Sequence, residues 1–217
     1  MVVLLPGNLL AQMVLPPDEA PRRVAILQIG GGYTMPMASF AAAENPLVIS
    51  PNGGIASFGD GFARYGTTLN FGVCIPISQS FDFVTDLLVP NFKMKTREFR
   101  QQSNMYIAHA RYLGKLLSVG ARWFPLKWSW GRGFLIGTAG MYQLINDRIL
   151  SGTQVVERGA FKAGGALGVG FELSNLIVPM DVVLRFHRYT DYGHFVQGDI
   201  AWVELALHLS FPLEEER

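Results

Sequence analysis

The chain has 217 residues and a formal net charge of +1, and only 16% of its residues are Asp, Glu, Lys or Arg. A net charge so near zero gives nucleic acid no electrostatic footing, and the single cysteine, Cys74, excludes an internal disulfide and any cysteine-rich zinc site. Glycine is abundant at 24 residues and mean hydropathy is +0.23, so the chain is not disordered, nor is it composed like a cytosolic enzyme.

The N-terminal MVVLLPGNLLAQ resembles the apolar end of a secretory signal closing near Ala11-Gln12, although it lacks a basic leading segment. Residues 1–22 are read as a signal-peptide remnant or an N-terminal extension. The longest early uncharged run, Val24 to Ala43, is broken by Gly30, Gly31, Gly32 and Pro36. It is a poor membrane helix, which needs about 20 mostly apolar residues. If the protein lies in a membrane, it does so as a closed β-barrel, the other architecture that satisfies every backbone group in lipid.

Period-two alternation then recurs along the chain. In VAILQIGGGYT, Leu27, Ile29 and Tyr33 oppose Gln28, Gly30 and Thr34. In TTLNFGVCI, Leu69, Phe71 and Val73 oppose Asn70, Gly72 and Cys74. FDFVTDLLV, from Phe81, alternates less cleanly. In KLLSVGARWF, Leu117, Val119 and Trp123 oppose Ser118, Gly120 and Arg122. GFLIGTAGMYQLI follows from Gly133. In FKAGGALGVGFEL, Leu167, Val169 and Phe171 oppose Ala166, Gly168 and Glu172. In DVVLRFHRY, Val182, Leu184 and Phe186 oppose Asp181, Arg185 and His187. In IAWVELALHLSF, Val203, Leu205, Leu207, Leu209 and Phe211 oppose Trp202, Glu204, Ala206, His208 and Ser210. These are about eight strands of a length suited to a tilted bilayer crossing.

One face is large and apolar. The other is Gly, Ala, Ser and isolated charges of both signs. A solvated exterior would be richer in Lys and Glu, so the small-and-charged face reads as a narrow interior and the Leu, Val and Phe face as the lipid side. The links alternate as well. PISQS, PLKWSWGR and SNLIVP are short, whereas the others are long and more polar. That is the pattern of short periplasmic turns and long outer loops, and an even strand count puts both ends of the barrel in the periplasm. The expected fold is an all-β transmembrane antiparallel barrel, an up-and-down meander over residues 23–211, with 212–217 as a short periplasmic tail.

LRFHRYTDYG, a penultimate strand running into an outer loop, resembles a segment of small outer-membrane β-barrels of the outer-membrane protein A-like superfamily. VELALHLSF is similar to the terminal strand of such proteins, and GGGYTMP with GFARYGTTLNFGV looks like the first hairpin of Bacteroidota-type relatives. Phe211 is followed by six more residues, whereas the family usually stops on the aromatic. The resemblance implies a bacterial outer-membrane location and leaves the task open.

Histidines at 109, 187, 194 and 208 have no metal-ligand spacing, and no cofactor is expected. His208 and Ser210 have the two-residue spacing of a lipid A deacylase pair, but the phasing turns both inward near the periplasmic end. No catalytic residue is assigned. The inward charges Asp82, Asp86, Arg122, Glu172, Arg185, His187, Glu204 and His208 are expected to pair as a packed polar plug, with a gated ion path as the rival. On simple pairing Arg185 and Glu204 face each other. Lys93, Lys95, Arg97 and Arg100 offer cations for lipopolysaccharide phosphates, or else a solvated loop face. The expected partners are outer-membrane lipid and lipopolysaccharide, with a protein partner in an envelope assembly as a further role. The alternatives are a narrow channel, an accessory subunit of a secretion or motility machine, and a soluble lipocalin-type barrel.

Overall fold

The computed structural model describes residues 25–45, 48–49, 55–57, 60–103, 106–150, 153–192 and 197–213. Residues 1–22, read as a signal-peptide remnant or an N-terminal extension, His194 and the last four residues lie outside them. In chain order the elements are β1 (Ile26–Met37), α1 (Ala38–Ala41), β2 (Val48–Ile49), β3 (Ile55–Ser57), β4 (Ala63–Pro76), β5 (Phe81–Met94) and α2 (Thr96–Ser103). There follow β6 (Ile107–Trp128), β7 (Gly131–Leu150), β8 (Thr153–Arg158), β9 (Lys162–Leu173), β10 (Met180–Tyr192) and β11 (Gln197–Pro212).

Eight strands close a ring in the order β1, β4, β5, β6, β7, β9, β10, β11, every pair antiparallel. Each of the eight alternating segments of the sequence falls on one of them. A pairing row that leaves β1 at Ile26 passes Cys74, Val84, Gly120, Thr138, Ala166, His187 and Trp202 and returns to β1 at Pro36. The ring therefore closes with a stagger of ten residues, which tilts the strands by about 35–45°.

Links 77–80, 129–130 and 174–179 are short and lie at the end where β1 begins and β11 stops. The other end carries the longer connections, and much of these is ordered. β5 continues to Met94 and leads into α2, which buries Phe99. β6 and β7 run on as a long ribbon, and β8 pairs with the end of β7. The segment NDRILSGTQVVERG, read as a loop, is thus largely strand. Bulges sit between Ala63 and Gly66 on β4 and between Trp123 and Leu126 on β6. After the second, Leu126 and Trp128 face outward where unbroken alternation would turn them in.

The sheet is inside out. Leu69, Leu117, Met141, Leu167, Leu184, Leu205 and Leu207 are exposed on the outer wall, while Asp82, Arg122, Asp181, Arg185 and Glu204 are buried within. An apolar surface that runs around the ring is far larger than water tolerates on a monomer, and it suits hydrocarbon. No helix among the described residues is long and apolar enough to cross a membrane; the wall itself is the crossing element.

Candidate functional site: a filled lumen and a charged outer rim

The lumen is filled in layers. Nearest the end with the short turns, Arg132 of β7 pairs with Glu172 of β9 at 2.7 Å and lays its guanidinium 3.9 Å from the Phe124 ring centroid. Above it Arg122 is almost fully enclosed. Its Nη1 donates to Asp181 Oδ2 at 2.7 Å and its Nη2 to Gln28 Oε1 at 2.7 Å, with Cys74 Sγ also in contact. Gln28 Nε2 donates to Asp181 Oδ2 at 2.5 Å and to Ser210 Oγ at 3.1 Å. Asp82 stands opposite Arg122 in the strand register, yet the guanidinium turns to Asp181 instead.

The next layer joins four strands, β4, β5, β10 and β11. Arg185 Nη1 donates to Asp86 Oδ2 at 2.7 Å. Asn70 Nδ2 donates to Glu204 Oε1 at 2.9 Å and meets His208 Nε2 at 2.8 Å, and its Oδ1 accepts from Thr68 Oγ1. Both amide protons are thereby used, so His208 Nε2 is the acceptor and the ring is the Nδ1–H tautomer. His187 Nε2 donates to Glu204 Oε2 at 2.9 Å. Gly30 is needed beside this layer: a Cβ there would sit 2.3 Å from His208 Cδ2 and from Leu207 O.

Aromatic rings close the outer half. Trp202 lies flat on His187 with centroids 4.6 Å apart and planes 7° apart, and Tyr189, Tyr142 and Phe92 pack around its ring. Phe40 from α1 caps Phe92 and Tyr112, while Phe62 meets Phe99 from α2. The stopper therefore comes partly from outer connections folded inward. Ala38 and Phe62, at the two ends of the first such connection, both have positive φ, at 49° and 50°, a conformation that costs a non-glycine residue energy.

All eight inward charges expected from the sequence point into the lumen, but not in the expected pairs. Arg185 and Glu204 are register partners, yet each bonds elsewhere. Glu172 belongs to the mouth with Arg132 rather than to the Arg122 layer. Asp181, Gln28 and Asn70 complete the network; each stood on the inward face of its strand by parity, which was the available signal. His208 and Ser210 are both buried inside, the first engaged by Asn70 and the second by Gln28, so neither reaches lipid. Among the described residues no group of His, Cys, Asp and Glu is arranged to hold a metal ion.

No family model matches the chain, and no curated protein matches it in sequence. Solved structures do match in shape. Neisserial surface protein A superposes with a TM-score of 0.54 at 10% identity, over 86% of this chain and 97% of that one. Ail, the attachment invasion locus protein of Yersinia pestis, gives 0.51 at 10% identity, over 87% and 99%. This chain has the small outer-membrane β-barrel fold. The likeness adds nothing to the finer resemblance to Bacteroidota-type barrels.

The barrel's cations sort into two groups at the outer end. Lys95 turns inward and its Nζ donates to Ala41 O at 2.6 Å. Arg97 is exposed on α2, and Arg100 is also exposed, its guanidinium 5.5 Å from the Tyr106 ring. Lys93, by contrast, stands on the outer wall of β5, 5.8 Å from the Tyr65 ring. The four loop cations read from the sequence are therefore not one patch. Arg64, Arg111 and Lys115, exposed on the neighbouring strands β4 and β6, are the companions of Lys93.

Proposed function

We propose that this chain is an integral protein of the bacterial outer membrane, with a structural or interaction role in the envelope and no enzymatic activity. The observation that carries the reading is the lumen. Two hydrogen-bonded charge layers and an aromatic stopper fill it from mouth to mouth, leaving the apolar wall and the outer connections as the working surfaces. An ion entering would have to break the Arg122–Asp181 and Arg185–Asp86 pairs, and breaking a buried pair costs several kcal/mol, about 3–5. The fold also serves a protein named for the cell surface and another named for attachment and invasion, which favours an interaction role at the outer end. Lipopolysaccharide and a protein partner are the contacts this reading expects.

The test is twofold. The protein should fractionate with the outer membrane and migrate differently on gels before and after heating. Purified and added to planar bilayers, it should be silent. Steady conductance would favour the second reading, a narrow gated channel. The specific support for that reading is the loop-borne stopper, held by two residues at positive φ. Co-purification with a stable set of envelope proteins would instead assign it to a larger assembly.

A further inference from the structure

The bulge between Ala63 and Gly66 turns two consecutive residues of β4 outward, Arg64 and Tyr65. The Arg64 guanidinium carbon lies 5.5 Å from the Tyr65 ring centroid, and Lys93 Nζ lies 5.8 Å from the same ring. Lys93 in turn faces Arg111 directly across the β5–β6 pairing. Like charges opposite each other destabilise a sheet unless something neutralises them. Arg111 is answered by Asp147, which accepts from its Nε and Nη2 at 3.0 and 2.9 Å.

Arg64, Lys93 and Lys115 have no carboxylate within ion-pair distance among the described residues. Residues 46–59 contain no Asp or Glu. These cations border the apolar wall. Leu69 on β4, Leu87 on β5 and Leu117 on β6 are the exposed residues below them. The opposite side of the barrel differs, since Arg188 at that border is paired with Asp199 at 2.5 Å. Unpaired positive charge therefore gathers on three adjacent strands, β4, β5 and β6, at the level where a bilayer changes from hydrocarbon to headgroup, with Arg158 of β8 a separate exposed cation.

We infer that Arg64, Tyr65, Lys93 and Lys115 form a binding site on the barrel wall for the phosphorylated headgroup of an outer-leaflet lipid. The inference rests on the outer-membrane reading above. A guanidinium fork and two ammonium groups match phosphate oxygens. A tyrosine at the border presents an apolar ring with a polar tip, as interfacial aromatics do. The lipid's chains would lie against Leu69, Leu87 and Leu117, so one ligand satisfies both surfaces. The phosphate would also neutralise Lys93, since Arg111 opposite it is already answered by Asp147.

The full chain in phosphatidylcholine nanodiscs doped with diphosphorylated lipid A tests this, with retained lipid counted by native mass spectrometry. Wild type should retain lipid A in preference to phosphatidylcholine. An Arg64→Gln/Lys93→Gln double variant should lose about ten-fold of that preference, as expected for losing charge-assisted hydrogen bonds. Lys93→Arg should keep it, and so should Arg97→Gln/Arg100→Gln on α2. All these positions are exposed, and heat-modifiable migration checks that each variant folds. The site is overturned if the double variant retains lipid A like wild type, if the α2 variant is the one that fails, or if lipid A stripped of phosphates is retained equally. A wild type with no preference at all would overturn both this site and the expected contact with a phosphorylated outer leaflet.

Discussion

Arg185 stands opposite Glu204 in the strand register but donates its hydrogen bond to Asp86 across the lumen, 2.7 Å away, while Glu204 accepts from His187 and Asn70. The tilt explains this. A stagger of ten residues over eight strands brings groups that are distant in pairing order to one height in the barrel, and side chains that meet inside are set by height. The pair is enclosed, with side-chain exposures of 3% and 7%. Asp86→Ala should therefore destabilise the folded barrel by about 3–5 kcal/mol, because it leaves a buried guanidinium without its partner. The double change Arg185→Met/Asp86→Leu should recover most of the loss. Urea unfolding in lipid vesicles measures both; a double variant as unstable as the single one would mean the charge is not the cause.

Trp202 is fully buried on His187, whereas Trp123 and Trp128 face outward on β6. Lipids brominated on their acyl chains should quench single-tryptophan variants retaining Trp123 or Trp128 and spare one retaining Trp202. Equal quenching of Trp202 would place it in the wall.

Two glycines should respond oppositely to one methyl group. At Gly170, which faces inward, a Cβ would sit 2.4 Å from Phe134 Cζ and 2.8 Å from Val182 O. Gly170→Ala should cost about 1–3 kcal/mol through overpacking. At Gly137, on the outer wall, the nearest atom to a Cβ is Leu167 Cδ2 at 3.4 Å, and Gly137→Ala should stay within about 0.5 kcal/mol of wild type. The two unfolding midpoints, compared directly, decide it.

Asp147 lies above the apolar wall, where hydrogen bonds from Gln154 and Arg111 hold its carboxyl below the ordinary value of 3.8. A carboxyl depressed on folding adds stability that is complete above its unfolded value and is lost as pH falls through the folded one. Amide protection in the β7–β8 hairpin should therefore weaken only below about pH 4, and Asp147→Asn should abolish that pH dependence. Hydrogen exchange at two pH values, corrected for intrinsic rates, reads the effect.

Strict alternation made the ring legible from sequence wherever a strand crosses the wall, because each side chain there meets either hydrocarbon or the lumen. The last strand shows it best, with Leu205 and Leu207 outside and Glu204 and His208 within. Trp202 broke the pattern by size alone, and its inward phase held because the stopper needs a large ring on His187. Where the chain leaves the wall, that two-solvent contrast disappears. The β7–β8 hairpin and α2 accordingly read as loops, and the β4 bulge that turns Arg64 and Tyr65 out together left no mark on the period. Charge partners were illegible for a different reason: parity gives the face, but only closure of the ring gives the height.

The sheet is inside out, with its apolar face toward lipid and its polar face toward the lumen. Spin labels placed singly from Trp202 to Phe211 test it most directly, through collision with oxygen dissolved in the bilayer and with a water-soluble nickel chelate. An inside-out sheet gives a period of two. Labels at 203, 205, 207, 209 and 211 should be open to oxygen, and those at 202, 204, 206, 208 and 210 closed to both reagents. Even-numbered labels open to the nickel chelate would mean a water-filled lumen, and oxygen access in the opposite phase would mean that the polar face is the outer one.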